Sequence, residues 1–197
     1  MIELKNINLS FPDIKLFENF NLKIQAGEKI CISGDSGKGK STLLKMLQGY
    51  VIPDDGEIYI HDILMDHHNI KTIRNLMTWI PQNVNLPVDN GLELLQLMNI
   101  PENEDKVISL MENLGLEPDY LTKNFTLISG GQKQRVIISI CLSIDAKIVV
   151  MDEPTSSLDN NSIQMLINTI NQFENRTFIS ASHNSLWLEK SGRVVEL

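Results

Sequence analysis

The chain of 197 residues, 42% of them hydrophobic, is long enough for one domain with a sizeable core and an inserted lobe. Its formal net charge of −8 at pH 7 argues against a non-specific nucleic-acid binder, because such domains are usually basic. The two cysteines, Cys31 and Cys141, lie far apart in apolar surroundings. Buried reduced thiols of a cytosolic protein explain them better than a disulfide or a zinc site.

The N-terminus, MIELKNINLS, lacks the basic segment and apolar core of a signal peptide. The most apolar helical stretch, residues 136–144, is about half as long as a helix must be to span a bilayer. If the protein acts at a membrane, we therefore expect other chains to cross it.

The first part of the chain has mostly strand patterns, in which polar and apolar residues roughly alternate. The predicted strands lie within residues 2–11, 20–24, 28–34, 53–60 and 77–82. A helix is predicted over residues 40–50, directly after a glycine-rich turn and with a glycine near its end. This order of elements is typical of a strand–loop–helix unit.

The middle of the chain has a different pattern. Val107, Leu110, Met111 and Leu114 recur at the spacing of one helix face, which predicts a helix over residues 104–116. Residues 90–99 are also predicted to be helical. We therefore expect an all-helical insert at about 84–127.

Strand and helix patterns alternate again after the insert. The predicted elements are helices at 130–144 and 162–173 and strands at 148–151, 177–182 and 193–197. Such alternation favours an α/β fold with a mainly parallel sheet covered on both faces. Without repeats or linkers, the sequence predicts one domain over residues 1–197, with its core at 1–83 and 128–197.

A glycine-rich stretch between a predicted strand and a predicted helix matches the phosphate-binding pattern G-x-x-x-x-G-K-[ST]. Its residues are Gly34, Asp35, Ser36, Gly37, Lys38, Gly39, Lys40, Ser41 and Thr42. The glycines allow a tight turn whose N–H groups point at phosphate oxygens, and the helix N-terminus adds its dipole. Lys40 is expected to reach the β- and γ-phosphates and Ser41 to bind Mg²⁺. The alternative is a plain glycine-rich turn.

Two adjacent carboxylates, Asp152 and Glu153, follow the apolar strand pattern KIVVM. Alone, they are equally compatible with a charged turn that closes a buried strand. A P-loop enzyme needs a carboxylate at the end of a neighbouring strand to hold Mg²⁺, and Asp152 has that position. Glu153 is then a candidate general base for an attacking water.

The segment ISGGQKQR, residues 128–135, would by itself be interpreted as a turn that caps a helix. Together with the P-loop and IVVMDEPTSSLD, it resembles the signature motif of the ATP-binding cassette (ABC) ATPases. The order and spacing of the motifs match over nearly the whole chain. The resemblance implies a P-loop NTPase (RecA-like) core, an N-terminal antiparallel β-subdomain and an inserted α-helical subdomain.

The resemblance also implies roles for matching residues. Gln82, in WIPQ, corresponds to the glutamine that touches Mg²⁺ and the attacking water. Asp159 resembles the aspartate at the dimer interface, and His183 resembles the switch histidine that contacts the γ-phosphate. The signature segment, which in this family binds the γ-phosphate held by the partner cassette, is Ser129, Gly130, Gly131 and Gln132.

Some positions have a second interpretation or depart from the family pattern. Phe11 stands where the family commonly has a tyrosine that stacks on adenine, and a core aromatic is the alternative. A lone histidine such as His183 is more often structural, so its role depends on the other motifs. Ile128 replaces the usual leucine of the signature, a swap of similar volume.

The intact motif residues imply Mg²⁺-dependent ATP hydrolysis. The implied catalytic residues are Lys40, Gln82, Glu153 and His183, and the implied metal ligands are Ser41, Gln82 and Asp152. The implied function is the ATPase subunit of a bacterial membrane ABC transporter, driven by ATP-dependent dimerisation on the inner face of the cell membrane. The expected partners are separate transmembrane permease subunits and a second cassette, either the same chain or another, and no nucleic acid.

Two other functions stay open at this point. Soluble ABC-type ATPases that act on DNA or ribosomes usually have two cassettes or a long coiled coil, and this acidic chain has neither pattern. A regulatory nucleotide-binding module without turnover would not require the catalytic residues. The substrate and the direction of transport are determined by the membrane subunits in this family, so the sequence does not predict them.

Overall fold

The computed structural model describes residues 1–12, 14–82 and 86–197. The strands in these ranges are β1 (Ile2–Phe11), β2 (Ile14–Ile24), β3 (Lys29–Ser33), β4 (Asp55–Ile60), β5 (Ile63–Leu64), β6 (Met77–Ile80), β7 (Ile148–Asp152), β8 (Thr177–Ala181) and β9 (Arg193–Glu196). The helices are α1 (Lys40–Leu47), α2 (Ile70–Arg74), α3 (Gly91–Leu97), α4 (Glu104–Asn113), α5 (Gly130–Ser143), α6 (Asn160–Asn171) and α7 (Ser185–Lys190).

The strands form two sheets of different kinds. An antiparallel sheet has the order β2-β1-β4-β5, and a parallel sheet has the order β6-β7-β8-β3-β9. The predicted α/β class, with a parallel core and an N-terminal antiparallel part, is therefore confirmed. Within the predicted insert, residues 86–127 contain helices and turns but no strand. The boundaries of that insert remain a prediction.

The parallel sheet is buried on both faces, as continuous apolar strands require. Successive residues of a strand point to opposite faces. Ile148 and Val150 of β7 pack with α1 and the antiparallel sheet. Val149 and Met151 pack with α3, α4, α5 and α6 on the other side. Two apolar cores thus hold the strand ends at fixed positions.

The structure differs from the sequence predictions mainly in short elements. β5, α2 and α7 were not predicted, because two to six residues are too few for a recognisable period. The predicted helix at 40–50 ends earlier, at Leu47, and Gly49 beyond it has a φ of 68° that glycine adopts easily. The strand predicted at 20–24 begins at Ile14, because β2 pairs with β1 in a long hairpin.

Both cysteines are free and buried. Burial raises the pKa of the Cys141 thiol to about 12, so this thiol stays protonated and unreactive at neutral pH. None of the helices within residues 1–12, 14–82 and 86–197 has the length and apolar character needed to cross a bilayer.

Candidate nucleotide site

The carboxyl ends of β3, β7 and β8 meet at one edge of the parallel sheet. β8 pairs with both β3 and β7, and the last paired residues of β7 and β8 are Asp152 and Ala181. Glu153 and His183 therefore leave neighbouring strands close to the loop that follows β3. Open α/β sheets bind ligands outside this edge.

The loop of residues 34–39 leads into α1, and the N-terminus of α1 faces this edge. Gly37 and Gly39 have φ values of 87° and 96°, in the left-handed region that favours glycine. α1 has no acidic residue in its first turn, and no side chain caps its N-terminus. The positive end of α1 is therefore not neutralised by its own side chains, as an anion site requires.

The Lys40 side chain folds back along the loop. Its Nζ donates hydrogen bonds to the carbonyl oxygens of Gly34, at 2.7 Å, and Asp35, at 3.0 Å. An ammonium group has three donors, so one remains for a phosphate oxygen while both loop contacts persist.

Ser41 and Asp152 place a hydroxyl oxygen and a carboxylate oxygen side by side. Ser41 Oγ donates a hydrogen bond of 3.0 Å to Asp152 Oδ1. Burial raises the pKa of the Asp152 carboxyl, and the Ser41 hydrogen bond partly opposes this shift. Hydroxyl and carboxylate oxygens suit Mg²⁺, which prefers oxygen ligands and keeps phosphate oxygens or waters in its remaining positions. Among the described residues, no group of three or more His, Cys, Asp or Glu could hold a metal without such additional ligands.

Glu153 is buried and has an unusual backbone conformation. Its φ of 47° is left-handed, which costs a non-glycine residue about 1–2 kcal/mol. Its N–H group donates to the Ala181 carbonyl at 2.9 Å, and its Oε1 lies 2.9 Å from His183 Nδ1. Its Oε2 is buried without a hydrogen-bond partner in the described parts of the chain. Such an atom is costly to bury, so it marks a position for a water or ligand.

A cavity of about 590 Å³ joins most of the candidate residues. This volume is within the range of small-molecule sites, roughly 300–1,000 Å³. The residues that line the cavity are Gly34, Asp35, Ser36, Gly37, Gly39, Lys40, Ser41, Thr42, Gln82, Glu153 and His183. The fold thus brings Gln82, Glu153 and His183 to the glycine-rich loop. Lys38 does not line the cavity, and Asp152 reaches it through Ser41.

Phe11 lies at the end of β1, outside the cavity lining. It is 48% exposed, which excludes the core-aromatic interpretation. In the neighbouring strand β2, Leu16 lies so close to Gly39 that a Cβ on Gly39 would be 2.9 Å from it. The antiparallel sheet therefore packs against the glycine-rich loop, and stacking of Phe11 on a base remains a prediction.

The signature segment and Asp159 lie outside the cavity as well, each at a helix N-terminus. Ser129 is the N-cap of α5, and it forms a reciprocal capping box with Gln132. Gln132 Nε2 also donates to the Tyr120 hydroxyl at 3.1 Å. Asp159 caps α6 by accepting the Ser162 N–H at 2.7 Å, which lowers the pKa of Asp159. One chain by itself does not bring these residues to the glycine-rich loop.

The sequence did not reveal Gln134 as a candidate residue. Its side chain is buried, donates from Nε2 to the Pro154 carbonyl at 2.9 Å and accepts the Ser157 N–H at 3.3 Å. The only signal in the sequence is a polar residue where α5 faces inward, and a pattern of spacing does not identify its partners. The hydroxyls of Thr155 and Ser182, 3.1 Å apart, form a second link to the same loop.

Comparison with known sequences identifies a family and its members. The family described as "ABC transporter" matches residues 17–156, more than two thirds of the chain. The ATP-dependent lipid A-core flippase of Escherichia coli K12 is 29% identical over 213 residues. This alignment covers 98% of the present chain and 36% of the flippase, and the flippase of Shigella flexneri gives the same values. The chain thus spans just over a third of the length of these relatives.

Comparison with solved structures likewise identifies ATP-binding cassettes as similar. A dimeric post-hydrolysis structure of the ATP-binding cassette MJ0796, bound to ADP and Pi, has a TM-score of 0.88 and 26% identity. It covers 100% of this chain and 94% of MJ0796. Another dimeric structure of MJ0796, described as a bacterial ABC transporter cassette, has a TM-score of 0.88 and 27% identity. A bacterial Atm1-family ABC exporter with ATP bound has the same fold, at a TM-score of 0.87 and 24% identity.

Because Asp152 is desolvated, we expect removal of its charge to increase the stability of the folded chain. Because burial raises the pKa of Asp152 above its unfolded-state value, the folded chain loses stability as pH rises through that raised pKa. In Asp152→Asn, the amide oxygen can still accept from Ser41. We expect a higher urea midpoint than wild type at pH 7 without divalent metal. This difference shrinks as pH falls below the raised pKa of Asp152 and is absent below about pH 3.9, the unfolded-state value. The exposed Asp105→Asn is the control, and a lower midpoint for Asp152→Asn would contradict this account.

Proposed function

The chain belongs to the ABC transporter family of ATPases, and we propose that it is the ATP-hydrolysing subunit that powers a membrane transporter. The observation that supports this most directly is the shared cavity of Lys40 and Glu153. In this cavity, the lysine and the α1 N-terminus offer positive charge for phosphates. In the same cavity, the buried Glu153 Oε2 has no partner within the described residues, as a base for water requires.

ATP binds with its phosphates in the glycine-rich loop. The backbone N–H groups of residues 34–42 and Lys40 contact the phosphate oxygens, and Phe11 stacks on adenine. The exposed position of Phe11, on a sheet that packs against Gly39, supports this arrangement.

Mg²⁺ accompanies ATP in this proposal, with Ser41, Gln82 and Asp152 as its protein ligands. The ion neutralises phosphate charge when it is bound. The hydrogen bond between Ser41 and Asp152 holds the two oxygen ligands together before any ion arrives. Burial raises the pKa of Asp152 because it disfavours the charged carboxylate, and a cation beside the carboxylate opposes that effect.

Hydrolysis uses Glu153 as the general base. Its Oε2 accepts a proton from the water as the water oxygen bonds to the γ-phosphorus, and the bond to the β-phosphate oxygen breaks to leave ADP and inorganic phosphate. His183 keeps the carboxylate oriented through Oε1. Since a carboxylate only accepts, Nδ1 of His183 is the donor in that bond. To donate to the γ-phosphate as well, the ring must be protonated on both nitrogens or must rotate.

Two cassettes pair head to tail around two ATP molecules, with Ser129, Gly130, Gly131 and Gln132 of each contacting the γ-phosphate held by the other. The separation of this segment from the cavity within one chain supports the need for a second cassette. The dimers of MJ0796 supply a precedent at 26% identity. Asp159 contributes to the interface, and the second cassette is either the same chain or a related one.

The membrane-spanning subunits are separate permease chains, and the cassette lies on the inner face of the membrane. The match over 94% of the length of MJ0796, a bacterial ABC transporter cassette, supports a cassette of this size acting as a unit. Leu97 and Met98, 56% and 37% exposed at the end of α3, offer apolar surface in the predicted helical insert for such a partner. The lipid A-core substrate of the flippase is a property of that protein and is not part of this proposal.

Glu153→Gln separates binding from hydrolysis. The amide keeps the size of the side chain but cannot take a proton, so we expect ATP affinity to persist and turnover to fall by about a hundredfold or more. Phosphate release and equilibrium ATP binding are the measurements. Glu189→Gln, with its side chain 70% exposed on α7, is the matched control. Wild-type turnover in Glu153→Gln would remove Glu153 from the role of base.

Lys40→Ala tests the phosphate site. A hydrogen bond to a charged group contributes about 1.5–3 kcal/mol, so we expect ATP affinity to fall about ten- to a hundredfold. Titration with a fluorescent ATP analogue measures this, and the exposed Lys71→Ala is the control. Undiminished affinity in Lys40→Ala would exclude a phosphate contact.

Copurification tests the transporter assignment. The tagged chain is isolated from detergent-solubilised membranes of the source cells, and its partners are identified by mass spectrometry. A polytopic membrane protein in near-equal amount is the expected result. Recovery with ribosomal or DNA-repair proteins in the soluble fraction would replace the transporter by another use of the same ATPase.

A further inference from the structure

Gln134 links the signature helix to the loop that follows the catalytic carboxylate. The side chain is 5% exposed, and both ends of its amide are used. Nε2 donates to the carbonyl oxygen of Pro154, at 2.9 Å, and Oε1 accepts the N–H of Ser157, at 3.3 Å. One residue of α5 thus contacts both sides of the turn made by residues 154–157.

The backbone of α5 also packs directly on this turn. A Cβ atom on Gly131 would lie 2.5 Å from the Ser157 carbonyl oxygen, closer than any real side-chain carbon approaches. The first turn of α5, which contains Gly131, therefore cannot shift toward residues 154–157 without displacing them. A close-packed contact of this kind transmits displacement between the two segments.

Contacts with neighbouring residues hold the backbone of Glu153 in its unusual conformation. Its left-handed φ of 47° is unfavourable for a side chain with a Cβ, and such conformations persist only where neighbouring contacts enforce them. On one side, the Glu153 N–H bonds to the Ala181 carbonyl of β8. On the other side, the next carbonyl, that of Pro154, receives the Gln134 amide. Gln134 thus completes the restraint on the residue that bears the carboxylate.

We propose that Gln134 is a positioning residue: it holds the Glu153 carboxylate in its reactive orientation and couples that orientation to the signature segment of the same chain. This inference rests on the proposed function, in which the signature segment contacts the γ-phosphate held by a partner cassette. When the signature segment of one chain contacts the nucleotide held by its partner, Gln134 transmits that contact to Glu153, the base in the chain's own site. Gln134 itself does not line the nucleotide cavity.

The main variant is Gln134→Met, which keeps the length and helix propensity of the side chain but removes both hydrogen bonds. We expect kcat to fall about ten- to a hundredfold, since small misplacement of a catalytic group has effects of this order. KM for ATP and ATP binding by the monomer are expected to stay within about twofold of wild type, because the phosphate loop is untouched. Hydrogen exchange at the Ser157 amide is expected to become faster.

Ser139→Ala is the matched control on the same helix. Ser139 is fully buried, but its hydroxyl bonds only to the Arg135 carbonyl within α5. This variant reports the effect of a lost buried polar group without a contact to residues 154–157. We expect its kcat and its Ser157 exchange to match wild type, and urea unfolding shows whether each variant is folded under the assay conditions.

Gln134→Glu provides a second variant that separates the two hydrogen bonds. An ionised carboxylate can still accept the Ser157 N–H but cannot donate to Pro154. We expect kcat to fall as in Gln134→Met while the Ser157 amide stays protected. If Gln134→Met does not fold, this variant decides the proposal by the same split between kcat and KM.

The outcomes separate this inference from the proposed function. ATP-dependent dimerisation and turnover of the wild-type chain are measured first, both alone and together with the subunits that copurify with it. A wild-type chain that does neither in both preparations would contradict the proposed function. An active wild-type chain with wild-type kcat in folded Gln134→Met would overturn the role of Gln134 alone. A fall in kcat shared equally by Ser139→Ala, or a matching rise in KM, would also overturn it.

Discussion

The last pairing between β7 and β8, that of Asp152 with Ala181, is the constraint on which the site depends. Because the strands run parallel, both end at the same edge, and the Glu153 N–H continues the pairing by bonding to the Ala181 carbonyl. The chain then turns left-handed at Glu153, which directs its carboxylate to His183 and into the cavity. Asp152 lies within the strand and faces Ser41 instead. Two neighbouring carboxylates thus acquire different partners from one feature of the backbone.

The N-termini of α1 and α5, which both contact phosphate in the proposed dimer, differ in their capping. α1 begins without a side-chain cap, so its first N–H groups are directed to the cavity. α5 begins with a closed capping box between Ser129 and Gln132. A phosphate that approaches α5 must replace capping hydrogen bonds worth about 1 kcal/mol, whereas one that approaches α1 need not. In the proposed dimer, this difference favours binding to a chain's own loop before the contact with a partner.

The site is kept at a cost in stability. A buried carboxyl with a raised pKa at Asp152, an unpartnered oxygen at Glu153 and a left-handed φ at Glu153 all oppose folding. Two apolar cores, one on each face of the parallel sheet, offset this cost and keep the strand ends rigid. A destabilised site supported by stable apolar cores is expected where activity requires strained or desolvated groups.

Local patterns in the sequence were sufficient for much of the architecture. Spacing within a few neighbouring residues encodes the glycine-rich loop, the long helices such as α5 and α6 and the buried strands. The segment of residues 128–135 was likewise interpreted as a turn that caps a helix, and Ser129 is the N-cap of α5. β5, α2 and α7 were missed, because elements of two to six residues form through contacts with the rest of the fold and have no period of their own.

The sequence by itself therefore determined the fold class, the family resemblance and the residue types available for chemistry. Only the tertiary structure decided that Gln82, Glu153 and His183 line one cavity with the loop, and that the signature segment does not. It also decided the left-handed turn at Glu153 and the contacts of Gln134. The physical reason is that these features depend on register between strands and on hydrogen bonds between segments far apart in the chain, which no local spacing of residues encodes.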